Sequence, residues 1–336
     1  MQGDNHPVKV AIVQHAPVFL NLEASVQRAC GLVEEASGQG AELVVFPETW
    51  LPGYPVWLDA APTAALWDHP PAKALYRLLA NNAMQIPGPE FEDLLNAARD
   101  AGAHLVIGAH ERDGGTLYNS LLTIHRGGSC CAVHRKLMPT YTERLIWGRG
   151  DGSTLTALET DHGVLGGLIC WEHWMPLARA AMHAKRETIH VAQWPWVKEL
   201  HQIASRHYAF EGQCFVLAAG SVLSKGEILE GYRSLGVESA AAEILEGIPG
   251  DADTLVMRGG SAVIGPDAAY LAGPVYDEES IVYADLDLRL IAEGHLTMDS
   301  DGHYSRPDVF RLEVNDRPQR RVSFTSELAG EGAAQP

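Results

Sequence analysis

Basic residues and cysteines are what this chain is short of. Lys and Arg number 25 against 43 Asp and Glu in 336 residues, leaving a formal net charge of −18. A surface of that sign repels phosphate backbones and anionic membranes, which argues against nucleic acid as a partner and suits a small neutral or cationic substrate. The five cysteines are odd in number and lack framework spacing, so they make no disulfide scaffold and fit a reducing compartment. No apolar run approaches the roughly 18 residues that a membrane span needs. The opening Met1-Gln2-Gly3-Asp4-Asn5-His6-Pro7 has neither the basic nor the apolar region of a signal peptide. The expectation is a soluble, cytoplasmic protein without a membrane partner.

What the chain does have is core material: 46% of its residues are hydrophobic. Short apolar runs read as buried strands at 9–16, 41–46, 104–110, 164–170, 188–193 and 214–219. Helical stripes lie between them, one of them capped by Asn21, with others at 72–81, 91–101 and 199–212. A pair of strands flanks the Arg126-Gly127-Gly128 turn. Such alternation predicts the α/β class, and without a repeat, linker or second core the reading is one domain over 7–318. The segment 225–250 reads as a surface excursion, and the small polar tail over 319–336 as partly disordered.

The run Val164-Leu165-Gly166-Gly167-Leu168-Ile169-Cys170-Trp171-Glu172-His173 is a buried strand that ends on a cysteine and turns toward a helix opened by Pro176. A thiol near a helix N-terminus is favoured as thiolate. Glu48 and Lys136 also fall at or just past strand C-termini, the crevice side of an open α/β sheet. A carboxylate behind Phe46 and Pro47 can serve as base to the thiol, and a lysine beside them stabilises charge developing on the attacked atom.

The motifs are these: Phe46-Pro47-Glu48-Thr49-Trp50-Leu51-Pro52-Gly53-Tyr54-Pro55; His134-Arg135-Lys136-Leu137-Met138-Pro139-Thr140 with Glu143-Arg144 and Trp147-Gly148; and Cys170-Trp171-Glu172-His173 with Met175-Pro176-Leu177. Together, and in this order, they closely resemble the nitrilase branch of the carbon-nitrogen hydrolase superfamily. The resemblance runs over about 8–318. It implies a four-layer αββα sandwich with Glu48 as general base, Lys136 as stabiliser of tetrahedral intermediates and Cys170 as nucleophile. Glu143 is implied as the second glutamate of a tetrad, and Tyr54, Trp171 and the Trp194 neighbourhood as the substrate pocket. The implied reaction takes an organic nitrile and water through a thioimidate and a thioester to the acid and ammonia, with some amide as by-product. It requires no cofactor and no metal. A homo-oligomer, dimeric or larger and including spirals, is implied as well, with 58–68 and 225–250 as candidate interface segments.

Two rival functions stay open at this level: an amidase with the same residues, against which Trp171-Glu172 speaks, and an inactive assembly-forming relative, which would be expected to have lost Glu48, Lys136 or Cys170. Cys130 and Cys131 have no second ligand pair at metal-site spacing and read as strand neighbours on opposite faces. His173 reads as structural, and the Gly148–Gly152 run as a turn, because it lacks the Lys-Ser/Thr ending of a phosphate loop.

Overall fold

The structure, a computed structural model, describes residues 7–319 and 322 and, for Cys131, the backbone alone. It opens with β1 (Val8–Gln14) and α1 (Leu22–Gly38). The Ala24 N–H donates to the Asn21 side chain at 3.1 Å, and Leu22, Val26, Ala29 and Val33 form the buried face of the helix. There follow β2 (Leu43–Val45), a single turn α2 (Trp57–Ala60), α3 (Pro70–Asn81), α4 (Pro89–Ala101), β3 (His104–Asp113), β4 (Thr116–His125) and β5 (Ser129–Arg135). Then come β6 (Ala157–Thr160), β7 (Gly163–Ile169), α5 (Pro176–His183), β8 (Ile189–Gln193), α6 (Glu199–Gly212), β9 (Phe215–Ala219) and β10 (Val222–Ser224). The last are α7 (Lys225–Ser234), α8 (Ala241–Glu246), β11 (Leu255–Ile264), β12 (Tyr270–Tyr276), β13 (Ser280–Leu286) and α9 (Arg289–Gly294).

Among the described residues the strands make two sheets, ordered β13-β1-β2-β3-β4-β5 and β10-β11-β9-β8-β7-β6, with β12 paired to β11. Side-chain alternation sorts them into layers. In the first sheet Ala11, Val13, Val44, Leu105 and Ile107 pack outward with Val26 and Val33 of α1 and Phe91 and Leu94 of α4. The intervening Val10, Ile12, Leu43, Val45 and Val106 belong to the core that also holds Leu168, Val191 and Leu217 of the second sheet. Tyr208 of α6 and Met182 of α5 belong to that core too. The result is the αββα sandwich. β1–β3 run parallel, as do β7–β9, and two hairpin pairings return β5 to the direction of β3. The ends of β2, β5 and β7 can therefore converge.

The structure departs from the sequence reading in three places. The 225–250 segment is no loose excursion: it forms α7 and α8, whose Ile228, Tyr232, Ile244 and Leu245 are buried with Leu75 and Leu79 of α3 in a third core. Its Gly and Glu residues obscured a stripe only two turns long. The pairing of β4 with β5 skips from Thr123–Ala132 to Ile124–Cys130, so a bulge at Cys131 breaks the simple alternation expected there. Strands β6 and β10, of four and three residues, are too short to show a period, and Gly273-Pro274 interrupts the run of β12. The 319–336 tail, apart from Gln319 and Val322, lies outside the described residues. No helix among the described residues is long and apolar enough to cross a membrane.

Candidate active site

Three chain reversals deliver the site. Past β2, the Pro47–Thr49 turn crosses over Gly108 of β3, where a Cβ would stand 2.3 Å from the Thr49 nitrogen and 2.4 Å from the Pro47 carbonyl oxygen, so only glycine admits the turn. Lys136 follows β5 directly, and its N–H donates to the Asn119 carbonyl of β4 at 2.8 Å. Cys170 follows β7 and opens a five-residue 3-10 turn, Cys170–Trp174, before Pro176 starts α5. Its backbone sits at φ +55°, a left-handed conformation that a non-glycine residue adopts only where its surroundings enforce it.

The three ends meet. A carboxylate oxygen of Glu48, one of Glu143 and the Cys170 sulfur all lie within 4.8 Å of one another. Lys136 Nζ donates to Glu48 Oε1 at 2.8 Å and to Glu143 Oε2 at 2.7 Å. Asn119 Nδ2 donates to Glu48 Oε1 at 2.7 Å, while the buried Glu48 Oε2 has no hydrogen-bond partner among the described residues. Glu143, in a 3-10 turn, accepts from the Tyr54 hydroxyl at 2.8 Å and the Thr140 N–H at 2.6 Å.

All four groups are buried, which sets their protonation. Burial pushes the Glu48 carboxyl up to about 7, the Lys136 charge pulling it down and Glu143 pushing it up. Burial also holds the Cys170 thiol well above its ordinary value, with the Glu48 charge adding to it and Lys136 opposing. Lys136 stays an ammonium against the cost of burial because the Glu48 and Glu143 carboxyls accept its N–H groups and offset that cost. The preformed thiolate expected at a helix N-terminus is thus not what the structure provides. The thiol begins a 3-10 turn in a desolvated site, and its proton has to leave as it reacts.

A second buried carboxylate ties the reversals together. Glu172 accepts from the Ile169 N–H before Cys170 and from the Leu137 N–H after Lys136, both at 2.7 Å. It also faces His134 Nε2 at 3.0 Å, and the other nitrogen of that ring lies 3.1 Å from the Thr154 carbonyl. Nδ1 also lies 3.0 Å from the Thr154 hydroxyl, so the ring meets a carboxylate on one side and a carbonyl and hydroxyl on the other, a setting that favours the imidazolium. Burial works against that charge, but Glu172 outweighs it and raises the His134 pKa. His173, read as structural, has Nδ1 2.8 Å from the Cys170 carbonyl and Nε2 3.0 Å from His190, away from the thiol.

A cavity of about 740 Å³ opens on this cluster, its lining including Tyr54, Glu143, Cys170, Trp171 and Trp196. Ile248, from the segment beyond α8, adds to its wall. Trp194 is not part of that lining. It is fully buried with its ring stacked on His201 at 4.3 Å, and its backbone carbonyl accepts from the Glu48 N–H at 3.3 Å. Its neighbour Trp196 faces the cavity instead. Asn119 and His110 escaped the sequence reading. His110 accepts from Trp147 Nε1 and donates to the Gly53 carbonyl, both at 3.0 Å, and burial keeps it neutral by lowering its pKa to about 4. The one signal was polarity within otherwise apolar strands.

Fold and site define a class: a four-layer αββα sandwich with a buried thiol, an ammonium and two carboxylates at one end of its sheets. The chain belongs to the carbon-nitrogen hydrolase family, whose model matches residues 9–295. It is 40% identical to a nitrilase of Bradyrhizobium diazoefficiens over 98% of this chain and 99% of that one. It is 39% identical to an aliphatic nitrilase of Sinorhizobium fredii over 94% and 97%. The carbon-nitrogen hydrolase structure from Helicobacter pylori superposes with a TM-score of 0.66 at 20% identity, covering 90% of this chain and 97% of that one.

Proposed function

We propose that the chain is a nitrilase that hydrolyses an organic nitrile to its carboxylic acid and ammonia. Glu48, Lys136, Glu143 and Cys170 are the catalytic groups, and Tyr54 and Trp171 are substrate-binding residues. The observation that carries this reading is the unpaired Glu48 Oε2 in the cluster that holds the Cys170 thiol, on a carboxyl whose pKa stands near 7. A base so poised takes the thiol proton as sulfur adds to the nitrile carbon, and the nitrile nitrogen is protonated to give a thioimidate. Glu48 then activates a water that adds to the same carbon, ammonia leaves, and a thioester remains. A second water releases the acid and restores the thiol. Lys136 has two of its three N–H groups on Glu48 and Glu143, leaving one for the nitrogen or oxygen that gathers charge. Glu143 fixes that ammonium and the Tyr54 hydroxyl. A tetrahedral intermediate that expels thiolate in place of ammonia gives amide, the expected by-product.

The same reading includes a cytoplasmic homo-oligomer, dimeric or larger. An amidase is the alternative activity. Ammonia release from aliphatic, aromatic and arylaliphatic nitriles, each paired with its amide, separates the two. Nitrile turnover that disappears in Cys170→Ala, with amides largely untouched, is the expected result. Turnover of amides alone would transfer the site to amide hydrolysis.

A further inference from the structure

We propose a divalent transition-metal site, of the zinc type, at the end of the sandwich opposite the catalytic cluster, with His104, Asp161 and His162 as ligands. His104 is the first residue of β3, while Asp161 and His162 form the turn between β6 and β7, so an ion here would pin one sheet to the other. His104 Nε2 and His162 Nε2 lie 3.2 and 3.9 Å from the same Asp161 oxygen, and one ligand atom from each of the three residues falls within 4.8 Å of the others. Donors around a tetrahedral zinc with bonds of about 2.0–2.1 Å stand about 3.3–3.4 Å apart; the His104–Asp161 pair is already at 3.2 Å, and His162 would have to move inward to build the third corner.

The chemistry of the set fits. Two imidazoles and a carboxylate are borderline donors that such ions prefer. The His162 Nε2 is buried and makes no hydrogen bond, although Asp161 and the Glu42 oxygen, at 3.3 Å, both lie beside it. Glu42 or water can take the fourth corner. Arg126 pairs with the other Asp161 oxygen at 2.7 Å, which orients the carboxylate and leaves Oδ1 toward the imidazoles. Coordination through His104 Nε2 puts its proton on Nδ1, at the expense of a 3.4 Å contact from the Arg126 N–H.

The test is a titration of the full chain with Zn²⁺ alone, in the wild type and in Cys170→Ala. The second protein removes the thiol of the catalytic cluster, which would itself take zinc. One equivalent is expected to bind in Cys170→Ala, with any further equivalent in the wild type assigned to the catalytic cluster, and that one is weakened about tenfold or more when His162→Ala or Asp161→Asn is added. Zinc should raise the thermal midpoint of Cys170→Ala but not of Cys170→Ala with His162→Ala, while zinc-free nitrile turnover is unchanged by His162→Ala. The site is refuted if no zinc binds, if binding disappears with Cys170, or if His162→Ala and Asp161→Asn bind as tightly as their parents.

Discussion

Burial of Glu48 changes what the reaction can do at each pH. In the proposed reaction its carboxyl must be ionised to accept the thiol proton, and with a pKa near 7 the base form grows as pH rises through neutrality. The expected kcat/KM for a nitrile therefore climbs on a limb near pH 7, where a solvated glutamate would give one near 4.5. Glu48→Gln should remove the limb and cost about 10²- to 10⁴-fold in kcat. Asn119 supplies a subtler control, since its hydrogen bond favours the anion. In Asn119→Leu the limb should move to higher pH while KM stays close to that of the wild type, and a pH profile of both constants checks it. An unmoved limb would show that Glu48 is not the titrating group. That Glu48, Lys136, Glu143 and Cys170 would come together was legible because each sits in a distinctive local motif. Asn119 was not: it meets Glu48 from 71 positions away, through the register of β4 beside β3, which no local pattern encodes.

Between the strand ends, Glu172 acts as a clamp. It holds the backbone on the approach to Cys170 and just past Lys136, and so links the positions of the two proposed catalytic groups. Burial opposes its ionisation, but His134 and the two N–H groups outweigh that and lower its pKa. The stability it confers has a pH window. The Glu172 pKa lies below 4.5 in the fold, so its share is complete above 4.5 and is lost as pH falls. The His134 pKa lies above 6.5, so its share is complete below 6.5 and is lost as pH rises. Glu172→Gln should therefore cost most between pH 4.5 and 6.5, about 3 kcal/mol or more, with the deficit narrowing on either side. Denaturant unfolding at pH 5.5 and pH 9 measures this, and equal deficits at both would refute the ion pair. The clamp shows where sequence reading stops. Trp171-Glu172 was visible as a signature, but that its carboxylate spans two strands followed only from the convergence of β5 and β7. Likewise α7 and α8 became visible only against α3, since an apolar stripe of two turns takes its meaning from the surface it covers.

On the scale of the whole molecule, the charge of −18 and the apolar surface pull in opposite directions. Leu200, Ile203 and Phe210 are exposed along α6 at spacings that place them on one helix face, and Leu177 is exposed on α5. Pairing two copies through such a face removes apolar area from water but brings two strongly acidic bodies together. Salt alters only the second effect: the screening length falls from about 30 Å at 0.01 M to about 10 Å at 0.1 M. If the proposed homo-oligomer is held by apolar burial, sedimentation velocity should show the population moving from smaller to larger species across that salt range at fixed protein concentration. Ile203→Glu, an exposed change that adds charge to the stripe, should hold the chain in the smaller species throughout while leaving the Cys170 end of the molecule folded and active. Dissociation on adding salt would instead mean that cross-subunit ion pairs hold the assembly, and would move the interface away from α6.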